Sequence, residues 1–229
     1  MLKRQYVNIY HHQDTHWWYK GMRSINESLF RKYLPKNKPL KILDAGCGPG
    51  AALSYLSQFG DVIGVDISDE ALKFAKKRGK VVKGDISDLP FKEETFDAVV
   101  AMDLLEHVPN PKNVIQEASR VLKNGGFFFF HTFNRTFLSY LMVIKGVEWV
   151  VKNTPKNMHV YSLFITPEEM AHMCHSSHLQ VQEWKGVRPK LTAAFWKMLF
   201  TRKVPSTFEF AFTASLKTGY SAYAMKNSS

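Results

Sequence analysis

Cysteine is scarce in this chain: Cys47 and Cys174 are the only two among 229 residues, in no ligand-like spacing. That excludes a disulfide framework and a cysteine-based zinc site, and makes a reducing, cytoplasmic compartment the expectation. Acidic residues are outnumbered, 20 against 31 Lys and Arg, for a formal net charge of +11. Such a balance favours anionic neighbours, nucleic acid or phospholipid headgroups, without choosing between them. Long apolar runs are missing as well. No stretch approaches the roughly 20 residues needed to span a bilayer, and the opening MLKRQYVNIYHHQDTHWWYK has no apolar core of signal-peptide length. Internal repeats and low-complexity tracts are also lacking.

What remains has the composition of a soluble globular protein, 45% hydrophobic and 22% charged, long enough to bury a core as a single α/β domain over residues 1–229. Short apolar runs alternate with helical periodicity. Strands are expected at 41–45, 61–66, 81–84, 96–102 and 126–131, and helices at 51–59, 70–78 and 114–122. Continuous apolar strands separated by helices imply a parallel sheet covered on both faces, a doubly wound fold of the Rossmann kind. Residues 1–38 read as an N-terminal helical cap, and after His131 the rhythm breaks. Residues 137–152 read as an inserted helix, within an insertion over 133–165. An ordinary helix restarts at Thr166, with Pro167 in its first turn and Glu169 at the capping-box position. Strands at 179–184 and 221–225 close the pattern, while 188–203, rich in aromatic and basic residues, fits no element.

The stretch ILDAGCGPG places Gly46, Gly48 and Gly50 directly after the first strand, where side-chain-free backbone can approach a ligand closely. By itself this would also suit a dinucleotide, whose pyrophosphate rests on a helix N-terminus. Asp44 separates the readings. A carboxylate two residues before the first glycine repels a diphosphate but suits a ligand bearing ammonium and sulfonium cations, as S-adenosylmethionine does. Asp66, 20 residues beyond Gly46 at the tip of the second strand, is placed to accept from two ribose hydroxyls. Asp85, after the third strand, could accept from an adenine amino group. The following residues, Ile67 and Ile86, are counted with them as cofactor neighbours.

With LDAGCGPG, VDIS, GDISDLPF and LKNGG in order, residues 40–131 resemble the class I S-adenosylmethionine-dependent methyltransferases. The resemblance implies a seven-stranded sheet with its last strand antiparallel, and the cofactor over the carboxyl ends of the first strands. Methyltransferases acting on exocyclic amines of bases usually carry Asn/Asp-Pro-Pro-Tyr after the fourth strand. Here Asp103-Leu104-Leu105-Glu106 stands instead, which argues against a nucleic-acid partner. Glu106 and His107 suit oxygen methylation, with the histidine as general base near neutral pH. Alternatively, Asp103, Glu106 and His107 could gather a divalent cation such as Mg that acidifies a hydroxyl.

A second likeness is more specific. HWWY, MDLLEHVPNP and the segment from Phe133 to Met170, with its PK..H and FI.P.E patterns, resemble the ubiquinone-biosynthesis O-methyltransferases, which methylate hydroxyls of polyprenylated phenols. The resemblance implies cofactor contacts at Arg23, Gly46, Asp66 and Met102, and metal ligands at Asp103, Glu106 and His107, with Asp103 standing where the family carries Glu. In the insertion, Lys145, Glu148 and Lys152 share one helix side and Leu141, Val143, Ile144, Val147, Val150 and Val151 much of the rest. Such a helix could meet an anionic membrane peripherally, at its inner face, or pack back as a lid. The expectation is thus methyl transfer to a hydroxyl of a hydrophobic, prenylated phenol. Its rivals are a methyltransferase for another small molecule, a non-catalytic cofactor-binding protein and an NAD-linked oxidoreductase.

Overall fold

Alternation along each central strand makes both faces of the sheet apolar. In β1 (Leu40–Ala45) Leu40 and Ile42 face one side, Leu43 and Ala45 the other. The same division runs through β4 (Phe96–Met102), where Ala98 and Val100 oppose Val99 and Ala101, and through β5 (Leu122–Phe133), where Phe129 opposes Phe128 and Phe130. A sheet apolar on both faces must be covered on both. The helix α1 (Trp17–Tyr33) covers one with Leu29 and Phe30, beside Tyr55 and Leu56 of α2 (Leu53–Leu56). On the other, α4 (Pro111–Val121) lays down Val114, Ile115 and Ala118, and α7 (Pro167–His175) Met170 and Cys174. Truncating any of the fully buried phenylalanines would cost about 3–5 kcal/mol.

The computed structural model describes residues 10, 13–14, 16–150 and 159–227. Its sheet has the order β3-β2-β1-β4-β5-β8-β6-β7, with β2 at Gly60–Asp66, β3 at Lys80–Lys83, β6 at Leu179–Pro189, β7 at Phe210–Thr213 and β8 at Gly219–Lys226. The first five strands pair in parallel, and β8 inserts antiparallel between β5 and β6. This is the expected doubly wound α/β fold with one strand more than the seven anticipated. The addition is β7, paired antiparallel to the far half of β6 from Gly186 to Pro189. Its signal was present as the period-two run Phe208-Glu209-Phe210-Ala211-Phe212, and the outcome is burial of Phe208 and Phe210 against Trp17, Trp18 and Met22. The unassigned stretch 188–203 supplies the end of β6 and a helix, α8 (Ala193–Thr201).

Helix starts follow the local chemistry. Ser68 caps α3 (Asp69–Ala75) by accepting from the Ala71 N–H, Asn110 caps α4 ahead of Pro111, and Thr166 and Glu169 form the anticipated capping box of α7. The helix expected over 51–59 shrinks to α2, flanked by turns, because the glycine loop occupies its first turn. The insertion departs further from expectation. A short α5 (Phe137–Ser139) leads into a π-helical stretch, Tyr140–Gly146, and then α6 (Val147–Val150). A π-turn takes in an extra residue, so the stripe read at steps of three and four is rotated. Leu141 and Met142 are exposed, Val143 and Ile144 half-buried. Lys145 and Glu148 do share a side, as an ion pair at 3.1 Å, whereas Val151 and Lys152 lie outside the described residues. The feet of the insertion meet, since the Ile165 N–H donates to the Phe133 carbonyl at 3.0 Å. Among the described residues no helix is long and apolar enough to cross a membrane.

Candidate active site

β2, β1 and β4 are neighbours in the sheet, and their carboxyl ends form the edge at which doubly wound sheets receive ligands in a crevice. At the end of β1 the chain turns sharply, with Gly46 at φ +71° and Gly48 at φ +51°. The N–H groups of Gly46 and Cys47 both donate to the Val65 carbonyl of β2, at 2.9 and 3.0 Å. A Cβ on Gly46 would lie 2.6 Å from the Leu104 side chain, so a larger residue there would have to displace Leu104 from the loop after β4. A Cβ on Gly48 would meet no protein atom within 4 Å. That backbone faces open space, as a ligand cradle requires.

Asp66 organises the loop. Its Oδ2 accepts the Gly48 N–H at 2.9 Å and its Oδ1 the Ser68 N–H at 2.8 Å, which fixes the carboxylate at the mouth of the crevice. Asp44 is 4% exposed, and its Oδ2 has no hydrogen-bond partner. Burial first, and the Asp66 charge second, push its pKa up to about 7. A buried acid with an orphaned oxygen is costly until a donor or cation meets it. The sulfonium nucleoside offers both, and the residues present therefore fit it; a diphosphate would add a second negative charge beside the first.

The other predicted contacts are placed as follows. Arg23 of α1 bonds Glu27 at 2.7 Å and lies 5.4 Å from the centroid of the Tyr55 ring, whose phenol is raised by burial and by Asp44. Ile67 is 64% exposed and open to contact, while Ile86 and Met102 are half-buried against the core. Asp85 is exposed, and its Oδ1 accepts both the N–H and the hydroxyl of Ser87, which holds its carboxyl below the usual range. That oxygen closes a turn of its own chain.

The loop after β4 carries the remaining chemistry. Asp103 sits at φ +52°, a conformation Asp tolerates better than most residues. Its Oδ1 lies 2.5 Å from His131 Nδ1, and its Oδ2 accepts from the Trp18 indole N–H at 3.2 Å. Burial would raise its pKa, but the charge and hydrogen bond of His131, with Trp18, outweigh burial and lower it. Glu106 was expected to act beside His107. It is instead enclosed, 1% exposed, with Oε2 accepting the Thr132 hydroxyl at 2.8 Å, and burial together with Asp103 raises it to about 7. His107 stands at the rim with its ring stacked 5.5 Å from that of His159, and desolvation lowers its pKa. His159 is lowered further, to about 4, by burial and by His107.

These partners correct the metal expectation. Asp103 turns to His131 and Trp18, Glu106 to Thr132, and His107 to His159, so the three side chains do not converge. Among the described residues no group of three His, Cys, Asp or Glu is placed to hold a metal ion. Sequence reasoning missed His131 and Trp18 as partners of Asp103. His131 ends an apolar strand, and nothing in a linear pattern shows that it meets a residue 28 positions away.

Comparison with known proteins identifies the family. Residues 43–130 match the model of a family described as a methyltransferase domain. The chain is 36% identical over 170 residues to the ubiquinone biosynthesis O-methyltransferase of Actinobacillus pleuropneumoniae serotype 7, covering 68% of this chain and 73% of that protein. It is 32% identical over 217 residues to the enzyme of the same name from Haemophilus ducreyi, covering 85% and 92%. The fold superposes with a TM-score of 0.65 on a methyltransferase from Thermotoga maritima described as a possible histamine N-methyltransferase, at 19% identity over 98% of this chain and 96% of that one. By these relationships the chain is an S-adenosylmethionine-dependent methyltransferase and belongs to the ubiquinone biosynthesis O-methyltransferase family.

Proposed function

We propose that this enzyme methylates a hydroxyl of a hydrophobic, prenylated phenol on the route to a quinone. The observation that carries the reading is the alignment with the Haemophilus ducreyi ubiquinone biosynthesis O-methyltransferase, which spans 92% of that protein's length. When bound, the cofactor supplies an electrophilic methyl group on a sulfonium. Gly46, Gly48 and Gly50 admit it to the backbone, Asp44 faces its cationic end, and Asp66 receives ribose hydroxyls. Arg23 faces the carboxylate, while Ile67, Asp85, Ile86 and Met102 line the nucleoside.

The acceptor phenol must lose its proton as its oxygen forms the new C–O bond and the C–S bond breaks. His107 suits this role because it stands at the rim and its lowered pKa keeps it neutral, hence ready to accept a proton, at pH 7. Glu106 braces the loop beneath it through Thr132. Much of the rate comes from holding the oxygen in line with the methyl and keeping water out. The insertion exposes Phe137, Leu138, Leu141, Met142 and Trp149 around Lys145 and provides peripheral contact with an anionic membrane through which a prenyl tail enters.

Incubation of the full chain with S-adenosylmethionine and a series of catechols of increasing prenyl length, read by mass spectrometry, tests the reading. A mass gain of one methyl on oxygen, with kcat/KM rising with tail length, is the expected result. Equal turnover of unprenylated phenols would assign a different acceptor. Cofactor binding without any methylated product would point to a protein that has lost its chemistry.

A further inference from the structure

The helix α8 has an apolar face that the described residues leave exposed. Its inward side is complete: Ala194 and Met198 are buried, and Phe195 and Leu199 pack beside them on the cluster of Met22, Val187 and Phe208. Yet the opposite side carries Trp196 at 52% exposure and Phe200 at 85%, one helical turn apart, with Leu191 at 62% just before the helix. Two aromatic side chains held out on one side of a nine-residue helix mark a contact surface rather than a core.

Charge says what kind of contact. Between Glu183 and Glu209 the sequence has no Asp or Glu and six Lys or Arg. Lys197 shares the outward face, and Arg202 and Lys203 follow at its carboxyl end. Among the described residues neither Lys197 nor Lys203 takes part in an ion pair. The Arg202 guanidinium lies 4.6 Å from the centroid of the exposed Trp149 ring, so α8 meets the end of the insertion there. An aromatic ridge flanked only by cations complements a surface that is apolar within and anionic above. A second copy of the same chain, +11 in net charge, would bring like charges together across a two-fold contact. The ridge also has a bearing on the site: α8 shares a hydrophobic cluster with Trp17 and Trp18, and Trp18 donates to Asp103.

We propose that the outward face of α8, led by Trp196 and Phe200, is a docking surface for an anionic lipid bilayer. The surface is a separate element from the insertion, and its docking does not rest on the identity of the methyl acceptor. Trp196 and Phe200 enter the boundary between headgroups and acyl chains, while Lys197, Arg202 and Lys203 hold the anionic headgroups above them. Docked in this way, α8 brings the first turn of α1, and with it the reaction loop, to the membrane.

Flotation of the full chain with vesicles of phosphatidylcholine alone, and of phosphatidylcholine with phosphatidylglycerol, tests this. The wild type is expected to float with the anionic vesicles. W196S/F200S should lower the partition coefficient at least tenfold while its affinity for S-adenosylhomocysteine and its melting temperature stay unchanged, since both side chains are exposed. K197E/K203E should abolish the preference for phosphatidylglycerol. Three results would overturn the proposal: a wild type that does not float with anionic vesicles, equal flotation of W196S/F200S, or a wild-type dimer in sedimentation that W196S/F200S converts to monomer with flotation unchanged. Loss of methyl transfer with flotation intact would count against the proposed acceptor and leave the docking surface standing.

Discussion

Asp103 and His131 join the ends of β4 and β5 twice, through a 2.5 Å contact between side chains and through the Asp103 N–H donating to the His131 carbonyl at 3.2 Å. His131 is fully buried, and its departure would leave the Asp103 carboxylate with only the Trp18 indole. His131→Ala is expected to destabilise the fold by about 3–5 kcal/mol, the cost of stranding a buried charge. Urea unfolding of the variant measures it; a loss below about 1 kcal/mol would mean that the pair contributes little.

The glycine loop allows stability and binding to be separated. Gly46→Ala must push Leu104 aside and hold φ at +71°, so it should lower both stability and cofactor affinity. Gly48→Ala meets open space and carries only the left-handed backbone cost of about 1 kcal/mol. Its methyl group would nevertheless stand in the cofactor's place. Calorimetry with S-adenosylhomocysteine should show a loss of tenfold or more for Gly48→Ala against a small change in melting temperature. Unchanged affinity would remove Gly48 from the cradle.

Asp66→Ala should abolish detectable cofactor binding, since it removes the ribose acceptor and frees the Gly48 and Ser68 N–H groups together. The two lost hydrogen bonds should cost about 1–3 kcal/mol of stability, leaving the variant folded. An unaltered dissociation constant would contradict the ribose assignment.

Asp44 and Glu106 make the cofactor-free enzyme sensitive to pH. Both have folded-state values near 7, raised above ordinary carboxylate values of 3.8 and 4.5. The unfolded chain therefore gives up these protons first, and their contribution to stability is present below about pH 4 and lost as pH rises to 7. Melting temperatures across that range should show this downward component, and Asp44→Asn should flatten part of it. With Asp44 in its proposed place beside the cation, cofactor affinity should rise from pH 6 to 8 in the wild type and stay level in Asp44→Asn.

His107→Ala should reduce kcat by about 10²-fold or more, the usual scale of general-base catalysis, while changing cofactor affinity little. At saturating cofactor, the acid limb of the kcat profile should fall below pH 6.5, because desolvation lowers this imidazole. Equal activity of the variant would assign His107 to structure.

The glycine turn after β1 and the position of Asp66 at the tip of β2 were legible in the linear chain because they lie at short, regular spacings. The order of strands up to β5 was legible for a similar reason, since each apolar run is bounded by turn residues. The metal expectation failed because Asp103, Glu106 and His107 are neighbours in sequence, whereas in the fold Asp103 engages His131 and Trp18, Glu106 accepts from Thr132, and His107 stacks on His159. The insertion was misjudged because helical periodicity assumes 3.6 residues per turn, and Tyr140–Gly146 does not keep it.

By itself the sequence determined the doubly wound sheet, because alternating apolar strands must be covered on both faces. Only the tertiary structure decided which partners Asp103, Glu106 and His107 take, that an eighth strand extends the sheet, and that α8 turns Trp196 and Phe200 outward. Those outcomes depend on contacts between residues far apart in the chain, where packing and burial prevail over local pattern.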